Sequence, residues 1–186
     1  MTTPQYIEDS IITLEWNEHI RRRPGMYIGK LGDGTSYDDG IYVLIKEVID
    51  NSIDEFMMGY GKTIEIDINE NSVRVRDYGR GIPIGKLVEV SSKMNTGAKY
   101  DNSVFQKSVG LNGVGIKAVN ALSTQFELTS FREGEKRHIT YSAGELTSDS
   151  DIQASKDKNG TEVLFVADNS LFKNYSYNYE HVEALL

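Results

Sequence analysis

Between residues 47 and 55 the chain carries Glu47, Asp50, Asn51, Asp54 and Glu55. In a helix, Glu47, Asn51 and then Asp54 or Glu55 fall at i, i+4 and i+7 or i+8, along one face. Like charges at this spacing repel, and after Lys46 no Lys or Arg in the stretch relieves them. A stripe of oxygens is what a metal ion and an activated water require. Glutamate suits general-base work, and an asparagine carbonyl is a neutral ligand for Mg2+. The plain alternative is the wet side of an amphipathic helix.

A second candidate follows a strand. If Val73 and Val75 face the core, period two turns Asp77 inward as well. A buried carboxylate needs donors, and an exocyclic amine such as that of adenine is one. Gly79 and Gly81 allow unusual backbone angles and the close approach of a flat ligand. The competing reading is an aspartate that opens a turn. A third candidate is Gly110-Leu111-Asn112-Gly113-Val114-Gly115, leading into a helix at Ile116. Glycines before a helix expose N–H groups to an anion. No Gly-Lys-Ser/Thr follows, and the run is not a dinucleotide fingerprint after a strand.

The elements that must position these groups can be read from periodicity. Residues 12–22 predict a short helix stopped by Pro24-Gly25, and Gly29 to Gly40 reads as loop. From Asp39 to Met58 the apolar residues Ile41, Leu44, Ile45, Val48 and Ile49 predict a helix, capped by Asp38 or Asp39 and ended by Gly59 or Gly61. Ile64, Ile66 and Ile68 alternate, Asn69-Glu70-Asn71 turns the chain, and Val73 and Val75 resume the alternation, which predicts a hairpin. Residues 82–92 form a short helix, 93–110 a long loop of lid character, and 116–122 a helix. Strands follow at 126–132, 137–142 and 161–167. The fold class expected is α+β, a two-layer sandwich with helices on one face of a mostly antiparallel mixed sheet.

The 186 residues, 39% hydrophobic and 26% charged, suit one soluble domain with an ordinary core. Cysteine is absent, which excludes disulfides, thiolate catalysis and cysteine-bound zinc. A net charge of −8 argues against a main DNA clamp; the patch Arg21-Arg22-Arg23 is too short to reverse that. No apolar run approaches a membrane span, and the polar, acidic start is not a signal peptide, so no membrane association and a cytoplasmic location are expected. Residues 169–186 stop inside a starting helix, as if cut from a longer protein.

The order of the three candidates is more specific than any one of them. The runs Glu47-Val48-Ile49-Asp50-Asn51, Asp77-Tyr78-Gly79-Arg80-Gly81-Ile82-Pro83 and Gly110 to Gly115 resemble the sequential boxes of the GHKL ATPase superfamily, whose ATP-binding domain has the Bergerat fold. The stretch Arg23-Pro24-Gly25-Met26-Tyr27-Ile28-Gly29 resembles the ATPase components of bacterial type IIA topoisomerases, gyrase B and its topoisomerase IV counterpart, with Trp16 to Gly40 closer to the latter. The resemblance runs from Tyr6 to Phe165. Mismatch-repair and chaperone ATPases share the boxes but lack Arg23 to Gly29. A histidine kinase would need a phosphoacceptor in a dimerising helix, a setting His19 lacks.

The resemblance implies ATP and Mg2+ as cofactors, with Glu47 as general base and Asn51 as metal ligand. Asp77 would accept the adenine amine, aided by Thr161 through an ordered water, with Gly79, Gly81 and Ile82 beside the base. Gly110, Leu111, Asn112, Gly113, Val114 and Gly115 would wrap the phosphates. Residues 93–109 would form the lid, with Lys99 and Lys107 as candidate phosphate neighbours, and residues 1–15 an arm whose Tyr6 reaches a partner copy's nucleotide. Glu55, Arg80, Pro83, Arg132, Val48 and Val163 would line the inhibitor pocket, Arg132 at the mouth where aminocoumarins sit. The implied partners are a second copy on ATP binding, the DNA-cleaving component of the topoisomerase in a heterotetramer, and DNA through the full complex. Three positions depart from the pattern. Val43 and Asn112 stand where histidine is common, and Phe105 stands where gyrase has tyrosine. A transducer domain supplying a lysine to the terminal phosphate lies outside these residues, so binding with poor turnover is expected.

Overall fold

The computed structural model describes residues 13–94, 96 and 113–186. Helices α1 (Trp16–Arg22), α2 (Gly25–Ile28) and α3 (Gly40–Met57) precede the hairpin β1 (Ile64–Asn69) and β2 (Ser72–Asp77). A 3-10 turn at Ile84–Lys86 runs into α4 (Leu87–Ser92). After α5 (Gly115–Ala121) come β3 (Ser123–Arg132), β4 (Glu135–Ser142), β5 (Glu145–Asp149), β6 (Gln153–Ala154), β7 (Gly160–Ala167) and α6 (Tyr179–Glu183).

The long helix forms where its apolar spacing predicts, and Ile41, Leu44, Ile45, Val48 and Ile49 are buried. Its start differs from expectation. Asp39 occupies the N-cap position, but its side chain makes no cap bond. The carboxylate instead accepts from the N–H groups of Gly34 and Ser36 at 2.9 and 3.1 Å and pairs with Lys30 at 2.9 Å. Asp39 thus ties the preceding loop together, because three donors outcompete one helix-end N–H. Helix α1 ends at Arg22, ahead of Pro24-Gly25 as expected, and Pro24 then leads into the single turn α2, since proline lacks only an N–H that a first turn leaves unused.

The sheet order is β1-β2-β7-β3-β4-β5, with β6 on the edge of β4. The described strands pair antiparallel throughout, a stricter pattern than the mixed sheet expected. The reason is the insertion of β7 between β2 and β3, running against both. Strands β5 and β6 have no counterpart in the sequence pattern; every residue in them is exposed, so no apolar alternation marks them.

Three rungs cross the inner face of this sheet. The first is Ile68, Val73, Phe165, Phe126 and Tyr141, and the second is Ile66, Val75, Val163, Leu128 and Ile139. Helices α3 and α5 cover them with Ile45, Val48, Ala118, Val119 and Leu122, all in one buried cluster. Truncating a large side chain there to alanine would cost about 2–5 kcal/mol. The third rung is polar: Asp77 opposite Ile64, then Thr161, Ser130 and Arg137 in register. The core ends where the residues with chemical potential begin. No helix among the described residues is long and apolar enough to cross a membrane.

Candidate functional site

Asp77 ends β2 on the same face as Val73 and Val75 and is 7% exposed, as period two requires. Its Oδ1 accepts from the N–H groups of Gly79 at 2.9 Å and Thr161 at 3.2 Å. The Ser52 hydroxyl lies 3.5 Å from Oδ2. Burial pushes this carboxyl above the usual carboxylate range, while the two N–H groups and Arg76 pull against the shift. On the opposite face of the sheet, Arg76 stacks between Tyr78 and Phe131, 4.6 and 4.3 Å from their ring centroids. Its guanidinium donates to the carbonyls of Asp77 and Lys158.

The turn after Asp77 is held carbonyl by carbonyl. Ser130 donates to Ile82 O at 2.6 Å, Arg132 to Gly81 O at 3.0 Å and Arg137 to Ile84 O at 3.1 Å. Gly81 has φ +75°, and a Cβ there would overlap the Phe131 carbonyl. Gly79 is needed for a different reason from the one expected. Its φ is not left-handed, but a Cβ would meet Glu55 Cβ at 2.8 Å. Glu55 has closed on this turn: it accepts from the Arg80 N–H at 2.9 Å and takes the guanidinium on both oxygens, at 3.0 and 2.8 Å. Arg80 also lies over the Tyr60 ring, 4.5 Å from its centroid. Pro83 is exposed, Ile82 packs against the core, and Val48 and Val163 are buried beneath the polar rung.

One turn of α3 away from Ser52, the acidic stripe meets α5. Gly115 opens α5, and a Cβ on it would overlap Glu47 Oε2. The half-buried Glu47 carboxylate therefore lies directly against the backbone at the start of that helix. Gly113 and Val114 lead in, Gly113 with φ +60°. The Asn51 amide nitrogen donates to Glu47 O at 2.9 Å, which orients the amide. Asp54 is fully buried, and Asp50 is nearly so in an ion pair with Lys46. A merely wet helix face would not bury these groups.

Glu47, Asn51, Glu55, Asp77, Gly79, Arg80, Gly81, Thr161 and Arg132 are thus brought around the seam between α3, α5 and the polar end of the sheet. Tyr6, Lys99, Phe105, Lys107, Gly110, Leu111 and Asn112, with the expected arm and most of the expected lid, lie outside the described residues. Among the described residues no group of three or more His, Asp or Glu side chains could hold a metal ion unaided. Sequence reasoning missed Ser52, Ser130, Arg137 and Lys117. Ser52 did carry a signal, since it is a small polar residue on the apolar stripe four residues after Val48. The others depend on cross-strand register or on buried packing.

The family model described as histidine kinase-, DNA gyrase B-, and HSP90-like ATPase matches residues 37–170. The chain is 58% identical over 178 residues to the B subunit of DNA topoisomerase 4 from Borreliella burgdorferi, covering 96% of this chain and 30% of that protein. It is 40% identical over 184 residues to the B subunit of DNA gyrase from Borrelia hermsii, covering 94% of this chain and 28% of that one. The crystal structure of the 43K ATPase domain of Thermus thermophilus gyrase B in complex with an aminocoumarin matches with a TM-score of 0.72 at 33% identity, over 92% of this chain and 44% of that one. The chain spans less than a third of the length of the two curated relatives.

Proposed function

The chain belongs to the histidine kinase-, DNA gyrase B- and HSP90-like ATPase family, and from that premise we propose that it is the ATP-binding and hydrolysing domain of a bacterial type IIA topoisomerase of the topoisomerase IV kind. The observation that carries the reading is the meeting of Glu47 with Gly115, which puts a carboxylate against a glycine-opened helix start. Asp77 accepts the adenine amine on a carboxylate already desolvated and aimed by Gly79 and Thr161. Gly79, Gly81, Ile82 and Thr161 frame the base. The Gly110–Gly115 loop carries the phosphates on main-chain N–H groups. Glu47 orients the attacking water and takes its proton.

Asn51 suits Mg2+, because an asparagine carbonyl is a neutral oxygen ligand for that ion, and its amide nitrogen donates to Glu47 O. Mg2+ binds through few protein ligands plus substrate phosphates, which fits a site without a carboxylate cluster among the described residues. Bound there, the ion would neutralise phosphate charge. Glu55, Arg80, Pro83, Arg132, Val48 and Val163 border the region an aminocoumarin would occupy. Residues 1–186 act as one domain, with 1–15 as an arm carrying Tyr6 to a partner copy and 93–115, including Lys99, as lid and phosphate loop. In the full protein ATP binding drives self-dimerisation, and the DNA-cleaving component and DNA are engaged through the heterotetramer. The 58% identity to a topoisomerase 4 relative supports that branch.

Calorimetric titration with ADPNP and Mg2+ tests the binding half. Asp77→Asn should weaken affinity by about 10- to 100-fold, the worth of one charge-assisted hydrogen bond; undiminished affinity would remove Asp77 from the adenine site. In the full-length protein, Glu47→Ala should leave ADPNP binding within about threefold and reduce turnover by about 10²- to 10⁴-fold. Surviving turnover would refute the base assignment.

A further inference from the structure

Lys117, the third residue of α5, is 1% exposed. Lysine is almost never fully buried unless paired, yet among the described residues no carboxylate forms an ion pair with this one. Its ammonium donates instead to two main-chain carbonyls, Thr96 at 2.8 Å and Gly113. Of the residues that follow it, Ala118, Val119, Ala121 and Leu122 are buried and apolar and Asn120 is buried and polar, so none of them brings a charge to offset that of the ammonium. Burial lowers the Lys117 pKa to about 8, with no compensating anion among the described residues. Stability therefore does not account for a lysine at this position, and what the ammonium holds does.

Gly113 and Thr96 come from opposite sides of the chain segment that joins α4 to α5, and one ammonium gathers both carbonyls. In a trans peptide the C=O and the following N–H point in opposite directions. Holding the Gly113 carbonyl toward Lys117 therefore turns the Val114 N–H away from it, at the entrance to the helix start that Glu47 faces. We infer that Lys117 is a positioning residue for triphosphate binding: it sets the plane of the Gly113–Val114 peptide, and so the direction in which the phosphate loop presents its N–H groups. This rests on the nucleotide-binding reading above and adds a residue that the motif spacing did not single out.

The test compares wild type with Lys117→Met, Lys117→Arg and Lys117→Gln in this chain. ADPNP with Mg2+ is titrated by calorimetry, adenosine by NMR shift perturbation, and each variant is melted. Lys117→Met should weaken ADPNP binding at least tenfold, leave adenosine within twofold and melt no lower than wild type. Lys117→Arg should keep ADPNP within threefold. A folded Lys117→Met that binds ADPNP within twofold of wild type, or that loses both ligands equally, overturns the inference. If Lys117→Met does not fold, the Arg and Gln variants decide: retention by Arg and loss by Gln supports it, and equal affinities overturn it. A wild-type chain that takes up neither ligand overturns the nucleotide-binding reading and this inference together, whereas binding by wild type with no selective loss in the variants overturns this inference alone.

Discussion

Burial disfavours the ionised form of Asp77, yet the N–H groups of Gly79 and Thr161 are both aimed at its Oδ1. The carboxylate is placed for a ligand at some expense to the stability of the fold. Because its folded pKa is raised, the native state holds the proton more tightly than the unfolded chain does. The associated stability is present below the ordinary value of 3.8 and is lost as pH rises through the raised value. Asparagine carries no such penalty, and its carbonyl can still accept from both N–H groups. Asp77→Asn should therefore melt higher than wild type at pH 7, and the gap should narrow as pH falls toward the carboxylate range. Differential scanning calorimetry between pH 4 and 7 checks this, and a variant that melts lower at pH 7 counts against it.

Between elements, two glycines separate packing from chemistry. A Cβ at Gly115 would overlap Glu47 Oε2, the far end of a side chain that can swing aside. Alanine also favours a helix over glycine by about 1 kcal/mol. Gly115→Ala should therefore keep or raise the melting temperature while displacing Glu47, reducing turnover of the full-length protein by about 10²-fold or more. At Gly160, φ is +140° and a Cβ would overlap the Asp77 carbonyl, which is backbone and cannot yield. Gly160→Ala should instead destabilise the fold, with strain alone contributing about 1–3 kcal/mol, read as a lower midpoint in urea. The contrast follows from what each glycine touches: a movable carboxylate in one case and the strand carrying Asp77 in the other.

At the scale of the whole molecule, a net charge of −8 leaves the isolated chain poorly suited to hold DNA phosphates. Fluorescence anisotropy with a short duplex at physiological salt should show no saturable binding. Nucleotide should be felt throughout the fold, because α3, α5 and the sheet share one buried cluster beneath the site. ADPNP at about 100 times its Kd would add about 2.7 kcal/mol, or roughly 5–10 °C in a chain of this size. That shift should shrink to about 0.4–1.4 kcal/mol in Asp77→Asn at the same concentration.

Much of this was legible in local pattern. The apolar spacing of α3, the hairpin of β1 and β2 and the inward turn of Asp77 follow from periods of 3.6 and 2, which neighbouring residues carry among themselves. The order of Glu47, Asn51, Asp77 and the glycine loop likewise marked the family. Tertiary structure alone decided the rest. Nothing near Glu47 in the chain says that its carboxylate meets Gly115, and nothing near Lys117 says that it gathers Thr96 and Gly113. Asp39 looked like a helix cap and became a loop clasp. The polar rung of Asp77, Thr161 and Ser130 exists only because β7 enters between β2 and β3. Periodicity tells each side chain which face it takes. Which distant side chain it finds there depends on how strands and helices settle against one another, and it is the packing of α5 on α3 that sets the Glu47 carboxylate against Gly115.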